Sequence, residues 1–399
     1  MTTGSSDTKN GGKQEGRFQE LLIRQSGFNP DLPLARAKTI PNHWYWDEEI
    51  YELEKAKIFA NSWQWIAREE ELPKPGSFLT TERAGEPILL IADENRMLRA
   101  FYNICRHRAA PLLSSACGEV NKLRCRYHGW TYDLRGALRG VPEFDGVEDF
   151  CRESSGLVEI PLDRWGNWCW IHQGQATSTL KDYLSPLPEW SLPRNWDNLR
   201  FCKRVAYDLN CNWKVYVDNY LDGGYHVNTV HPGLAGVINY SEYNTTIYSH
   251  TSLQSSPLKS STSQKDGDRD NAGDDVDNKA VQQTRIGDLA AYWWIYPNFM
   301  INWYQGVLDT NLVLPLGPEK CRVVFDFYFD RSGLASTEDF QNQSIQVAEQ
   351  IQDEDIQICH EVQRNLHSRH YSTGRFSVRR EIAGYHFHQL LGRALLNQE

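Results

Sequence analysis

The sequence predicts an α+β protein: a small all-β domain set within a larger chain that closes with one long helix. Three observations predict it. Between about residues 64 and 175, short β-like runs such as PILLIAD (87–93) and NWCWIHQ (167–173) are punctuated by Gly and Pro. From about 200 onward the strand-like runs lengthen, in RFCKRVAYDL (200–209), AYWWIYPNFMINWY (291–304) and CRVVFDFYFD (321–330). Residues 336–367 then carry a helical apolar stripe through Ala348, Ile351, Ile358 and Val362.

Taken in order, residues 1–40 read as a flexible leader. Residues 41–63 read as an N-terminal helix packing on the larger domain, with Ile50, Leu53, Ile58 and Phe59 on one side. The all-β domain is expected over 64–175 and the larger α+β domain over 176–399. Within the latter, 254–283 is Ser- and Asp-rich and short of large apolar residues, which predicts a disordered surface loop. Ser336 and Asp339 predict a capping box at the start of the long helix.

Composition narrows the function classes. At 399 residues, 40% apolar and 24% charged, the chain has an ordinary globular-enzyme make-up. A net charge of −10 argues against a nucleic-acid partner. No run reads as a membrane span, since the charge-free stretch 289–308 is broken by Pro297, Asn298, Asn302 and Gly306. The polar start shows no leader signal, so a cytoplasmic location is expected, or the chloroplast stroma if a transit peptide is missing. Nine cysteines without a Cys-x-x-Cys fit reduced thiols, a few of them available to a metal.

Two constellations carry chemistry. Cys105 and His107, then Cys125 and His128, form Cys-x-His and Cys-x-x-His pairs with seventeen residues between them. Two thiolates and two imidazoles on short loops suit a Rieske [2Fe–2S] cluster in preference to a structural zinc site, which uses the same donors. Farther on, His226 and His231 follow Asp218 and Asp222, with Gly223 and Gly224 between to let the backbone bend. A third donor comes from the long helix, where Asp355 lies on the apolar stripe, an expensive place for an unpaired carboxylate. Together His226, His231 and Asp355 make a two-His-one-carboxylate set suited to iron(II). Asp353 and Glu354 read as a solvated face. His386 and His388 read as packing, His367 and His370 as surface. Cys117, Cys151, Cys169, Cys202, Cys211, Cys321 and Cys359 read as buried thiols.

The combination resembles the Rieske non-haem iron oxygenases, the aromatic-ring-hydroxylating alpha-subunit type, over most of residues 40–395. The resemblance rests on the two Cys/His pairs, on Asn-Trp-Lys (212–214), on DNYLDGGYHV (218–227) and on His231. YPNF, VLPLGPEKC, EDIQICHEVQRNL, STGRFSV and GYHFH make it most similar to the choline-oxidising members. It implies a Rieske all-β domain and a helix-grip (START/Bet v 1-like) catalytic domain with an antiparallel sheet and a long C-terminal helix. Cys105, His107, Cys125 and His128 would hold the [2Fe–2S] cluster; His226, His231 and Asp355 would hold a mononuclear Fe(II). An acid just before the first His would couple the two centres. Here that is Asp222, with Asp218 as second choice, because Gly223 stands where many members have the acid. The implied reaction is oxidation of choline to betaine aldehyde hydrate with O2. Glycine betaine, carnitine, proline betaine or an aromatic ring are the alternative substrates. A homotrimer or other homo-oligomer is implied, with ferredoxin or a ferredoxin-type reductase as electron donor.

Two patterns bear on partners. Arg106, Arg108, Lys122, Arg124, Arg126, Arg135 and Arg139 face only Glu119 and Asp133 in their stretch, a basic patch in an acidic protein that suits an acidic ferredoxin. Tyr292, Trp294, Tyr296, Phe299 and Trp303 are candidate walls for a quaternary ammonium group, although strand alternation turns only half of such a run to one side.

Overall fold

The computed structural model describes residues 27–259 and 276–396. The chain divides into a compact unit of Phe59–Tyr183 and a second unit that joins the chain through Ile58 to the chain from Leu184. The first is wider than the expected 64–175 because its flanks pack on it: Trp63 Nε1 donates to the Ser178 carbonyl (3.3 Å).

That β unit contains β1 (Gln64–Arg68), β2 (Ser77–Arg83), β3 (Glu86–Ala92), β4 (Leu98–Tyr102), β5 (Cys117–Glu119), β6 (Leu123–Arg124), β7 (Thr131–Tyr132), β8 (Leu138–Gly140), β9 (Glu159–Ile160), β10 (Leu162–Trp165) and β11 (Trp168–Ile171). They form sheets ordered β5-β2-β3-β4-β9, β1-β11-β10 and β6-β7-β8. β3 shows why the PILLIAD run is apolar throughout. Ile88 and Leu90 enter one core while Leu89 and Ile91 enter another, so both faces of the strand are buried. The second of these cores also contains Cys105 and Cys125, and the two Cys/His loops rest on it.

The larger unit is built on one antiparallel sheet of β12 (Leu199–Leu209), β13 (Asn244–Ile247), β14 (Thr251–Pro257), β15 (Leu289–Ile295), β16 (Phe299–Tyr304), β17 (Val307–Gly317) and β18 (Lys320–Asp330). Their order is β12-β18-β17-β16-β15-β14-β13. The long helix Glu338–Leu366, the helix Trp213–Tyr220 and the C-terminal helix Ile382–Leu396 accompany it. Asn212 caps the second of these through its side chain on Lys214 N (2.9 Å), and its own N–H is held by Gln363 of the long helix (2.9 Å). Glu54 accepts from Trp213 Nε1 (2.7 Å) and pairs with Lys214, both fully buried, fastening the N-terminal segment to the same helix.

Several expectations change. The leader is ordered from 27 on, with Ala37 and Ile40 buried; residues 1–26 lie outside the described residues. The 41–63 helix is shorter, an α-helix of Glu48–Glu54 capped by Asp47 and continued by a wider turn through Phe59, with Ile50, Ile58 and Phe59 buried. The expected loop 254–283 is ordered at both ends. Residues 254–257 pair with β15 because Ser252, Gln254 and Ser256 are buried in the sheet despite their polarity, and Val276–Thr284 is helical. Residues 260–275 lie outside the described residues. The capping box does not form: Ser336 sits in a 3-10 turn with its hydroxyl donating to Gly333 O (2.7 Å), and Thr337 precedes the helix. Val362 is 41% exposed, while Cys359, Gln363 and Leu366 are the buried positions near it. Cys117, Cys151 and Cys202 are exposed; Cys169, Cys211, Cys321 and Cys359 are buried.

Candidate metal centres and substrate cavity

The two Cys/His loops fold on one plan. Cys105 N donates to Ala110 O (2.8 Å) and Ala109 N to Cys105 O (3.0 Å); Cys125 N donates to Trp130 O (2.8 Å) and Gly129 N to Cys125 O (3.0 Å). Ala109 (φ 57°) and Gly129 (φ 75°) take the left-handed conformation at the same point of each loop. The thiols are buried, His128 is exposed, and the His107 ring stacks on Trp130 (4.9 Å). The two Nδ1 atoms face each other at 3.1 Å. Two thiols and two facing imidazole nitrogens leave donor atoms that only a shared electrophile or proton satisfies, so the set fits a Rieske cluster. The Tyr132 hydroxyl accepts from Arg106 N (3.1 Å) and lies 3.5 Å from Cys105 Sγ, to which it can donate. A donor on a ligating sulfur favours the reduced cluster. Tyr132→Phe should therefore lower the cluster's reduction potential by on the order of 40 mV, one modest hydrogen bond's worth. A redox titration checks this, and the visible spectrum should be retained.

In the larger unit the chain after Tyr220 turns sharply. Gly223 and Gly224 both have φ +70°; a Cβ on the first would lie 2.1 Å from Arg380 O, and one on the second 2.9 Å from the Tyr243 ring. Only glycine fits this turn. It brings Asp222 back onto the next residues, where its carboxylate accepts from Tyr225 N (3.0 Å), His226 N (2.9 Å) and His226 Nδ1 (2.5 Å). His231 Nδ1 donates to Glu354 Oε2 (2.6 Å). With each Nδ1 committed to a carboxylate, both rings present Nε2 inward, 3.0 Å apart, and Asp355 Oδ1 stands 3.1 Å from that of His231. His226, His231 and Asp355 have donor atoms all within 4.8 Å of one another, the one such group among the described residues. Two bare imidazole nitrogens and a carboxylate repel unless a cation lies among them, and carboxylate-supported histidines are the usual arrangement around a metal. Burial alone would lower the His231 pKa, but Asp355 and Glu354 outweigh it and raise it, the same field that favours a cation. The donors fit iron(II).

Two expectations are corrected here. Glu354 is not a solvated bystander, for it holds His231. Asp218 does not touch the histidine pair: it accepts from Tyr45 Oη (2.6 Å) and His388 Nε2 (2.8 Å), and His388 Nδ1 in turn accepts from Ile40 N (3.0 Å). His386 packs edge-on to Trp294, and the half-exposed His367 stacks on Trp46 and bonds Glu319 (2.7 Å).

A cavity of about 110 Å³ opens on the donor group. Its floor follows from strand register. Gln254 pairs with Tyr292, Tyr292 with Asn302 and Asn302 with Asp309, one row across β14 to β17 that faces the long helix. Tyr304 and Asn311, two residues on, extend it, and all line the cavity. Of the five aromatic candidates only Tyr292 does so. Trp303 and Phe299 have the opposite parity, and Trp303 meets Trp190 edge to face (5.5 Å); Trp294 and Tyr296 pack together, and Trp294 lies against Phe387 of the C-terminal helix. Tyr304, from the same aromatic run, also lines it, as do Tyr220, Tyr243, Arg285 and Asp309, which the sequence alone does not single out. Asp309 left a signal, a carboxylate within the apolar run 307–314.

Residues 196–397 match the family described as ring hydroxylating alpha subunit (catalytic domain), and residues 62–151 match the Rieske [2Fe-2S] domain. The chain belongs to the Rieske oxygenases. This Rieske oxygenase is 36% identical over 375 residues to the chloroplastic choline monooxygenase of Arabidopsis thaliana, covering 91% of this chain and 84% of that one. It is 29% identical to the carnitine monooxygenase oxygenase subunit of Escherichia coli, covering 92% and 99%. Among solved structures it is similar to a quaternary ammonium Rieske monooxygenase, with a TM-score of 0.75, 28% identity and coverage of 92% and 98%. Its cofactors are accordingly a Rieske [2Fe–2S] cluster in the β unit and a mononuclear iron in the catalytic unit. No helix among the described residues is long and apolar enough to cross a membrane.

Proposed function

We propose that this Rieske oxygenase adds one oxygen atom to a small quaternary ammonium compound, choline in the first instance, giving betaine aldehyde hydrate. The observation that supports this is the cavity. Its tyrosine hydroxyls are spent on one another and on the sheet: Tyr292 Oη meets Tyr304 Oη (2.9 Å), and Tyr220 Oη meets Asn302 Oδ1 (2.9 Å). The tyrosine rings therefore turn faces and not hydroxyls toward a ligand, and ring faces attract a quaternary ammonium cation. The volume is small beside the roughly 300–1,000 Å³ of drug-sized pockets, which favours a compact alkylammonium over a fused ring. The choline and carnitine monooxygenases among the relatives support the same reading.

Iron at the His226–His231–Asp355 site would supply O2 activation, with electrons arriving singly through the [2Fe–2S] cluster. Choline, O2, two electrons and two protons balance to the aldehyde hydrate and water. The chain's own residues hold and shield: Asp222 and Glu354 fix the two rings with Nε2 inward, Asn219 Nδ2 donates to Asp355 Oδ1 (2.6 Å), and the tyrosine walls keep water from the alcohol carbon.

The solved relative is described as revealing inter-subunit electron transfer. We extend that to a homo-oligomer here, a trimer being the expected number, with Asp222 as the coupling acid. For the donor we propose a ferredoxin. Arg106, Arg108, Lys122, Arg124 and Arg126 are exposed around the cluster loops and form no ion pair among the described residues, whereas Arg135 and Arg139 are engaged by Glu94 and Asp133. Turnover with ferredoxin should fall steeply from low to moderate salt; a salt-independent rate would remove this docking surface.

The deciding experiment is product mass after incubation with choline, reduced ferredoxin and ¹⁸O2, the aldehyde hydrate being oxidised at once to the acid so that label is not lost to water. Labelled betaine is expected. Untouched choline beside a coloured, reducible cluster would move the substrate to glycine betaine, carnitine or proline betaine.

A further inference from the structure

We propose that Asp309 is the counter-ion of the substrate's ammonium, so that the cavity selects positive charge by an ion pair and not only by shape. The inference rests on the quaternary ammonium reading above and names the residue that enforces it. Asp309 lies on β17, is 3% exposed, and lines the cavity in the row with Tyr292 and Asn302.

Its hydrogen bonding is one-sided. Asn302 Nδ2 (2.7 Å) and Asn311 Nδ2 (3.4 Å) both donate to Oδ1, while Oδ2 accepts from no described residue. A buried aspartate with a purely structural task looks different in the same sheet. Asp326 on β18, 2% exposed, receives Arg204 Nε on one oxygen (2.6 Å) and Arg204 Nη2 on the other (2.7 Å). Arg285 shares the cavity wall with Asp309 but is held elsewhere. Its Nη1 donates to Ser344 Oγ (3.0 Å), its guanidinium carbon sits 4.9 Å from the Tyr304 ring centre, and it forms no ion pair among the described residues. A buried carboxylate with one free oxygen and no cation in contact is unfavourable until a cation arrives. Burial raises the Asp309 pKa, against the opposing pull of Arg285 and the two amides, so ionisation is easiest with a cation beside it. Trimethylammonium fits this surround, since it brings charge without N–H groups and the aromatic Tyr292, paired with Asn302 in the same row, lines the same cavity.

The test compares choline with its neutral isostere 3,3-dimethylbutan-1-ol, both titrated calorimetrically into the iron-loaded enzyme without O2. Wild-type enzyme should prefer choline by about thirtyfold or more, the range of a buried charge contact. Asp309→Asn should cut that preference to about threefold or less while leaving isostere affinity near its original value. Wild-type choline affinity should also fall as pH falls through the raised Asp309 pKa, because protonation removes the counter-ion, while isostere affinity does not follow. The other groups facing this end are Arg285 and the tyrosines Tyr220 and Tyr304, whose hydroxyls burial pushes up out of the range scanned. Titration of the histidine site is common to both ligands, since each carries the same alcohol. A variant that keeps the full charge preference overturns the role of Asp309 and leaves the quaternary ammonium reading standing. Wild-type enzyme that binds neither compound overturns that reading instead. If the variant does not fold, the wild-type profiles decide: parallel pH dependence for the two ligands refutes the ion pair.

Discussion

Asp355→Ala should strip the catalytic unit of its mononuclear iron while leaving the [2Fe–2S] spectrum untouched, so that metal analysis falls from about three irons per subunit to about two. The residue supplies the one carboxylate among three converging donors, the other two being imidazole nitrogens. Without the carboxylate, no negative charge remains among the inward-facing donors to balance a dication. Turnover should fall by more than the roughly 10–100-fold that loss of an outer-shell partner costs. Asn219 would lose its acceptor at the same time, but that bond is worth only about 1 kcal/mol, so the fold should hold. A variant with full iron occupancy and a normal cluster would show that Asp355 is not a ligand.

Asp222→Asn should produce the second-largest effect, and a different one. The carboxylate accepts three N–H donors, including His226 Nδ1. An amide in its place keeps one oxygen acceptor and turns an NH2 toward one of those donors. The imidazole is then relieved of its Nδ1 proton preference, and the alternative tautomer puts the proton on the Nε2 meant for iron. Iron affinity should drop about 10–100-fold. With iron restored by excess metal, reoxidation of the reduced cluster by O2 and substrate should still be slow. Stopped-flow absorbance of the cluster reads this directly. Asp218→Asn is the comparison: its contacts are Tyr45 and His388, away from the histidine pair, so iron binding should survive. Equal iron loss in both variants, or wild-type reoxidation in Asp222→Asn, would refute the coupling role.

The candidate metal donors were legible because metal sites are written in local spacing. Cys-x-His and Cys-x-x-His each place two donors on one short loop, and His226 and His231 fall on one turn whose glycines can be seen in the sequence. Asp355 was legible as a carboxylate on an apolar helical stripe. Its neighbour Glu354 was not, since helix periodicity alone turns it outward. Only the position of the His231 ring, delivered by another segment, shows that the carboxylate has a partner there. The aromatic run 291–304 is ambiguous for a related reason. Both parities are aromatic, so composition cannot say which face looks at the helices; pairing register can, and it selects Tyr292, Asn302 and Tyr304. Polarity alone predicts a loop for the Ser- and Asp-rich stretch, yet Gln254 and Ser256 are buried because their strand lies between two others of the sheet.

What the sequence determined by itself, then, was the chemistry available: two thiols with two imidazoles, two imidazoles with a carboxylate, and the family that combines them. Each of those signals depends on residues a few positions apart, where chain geometry leaves little freedom. Tertiary structure decided which acid orients which histidine, which tyrosines form walls and that Asp309 faces a cavity. These contacts join strands and helices far apart in the chain. Their identity depends on register and packing, which shift a side chain from one face to the other by a single residue.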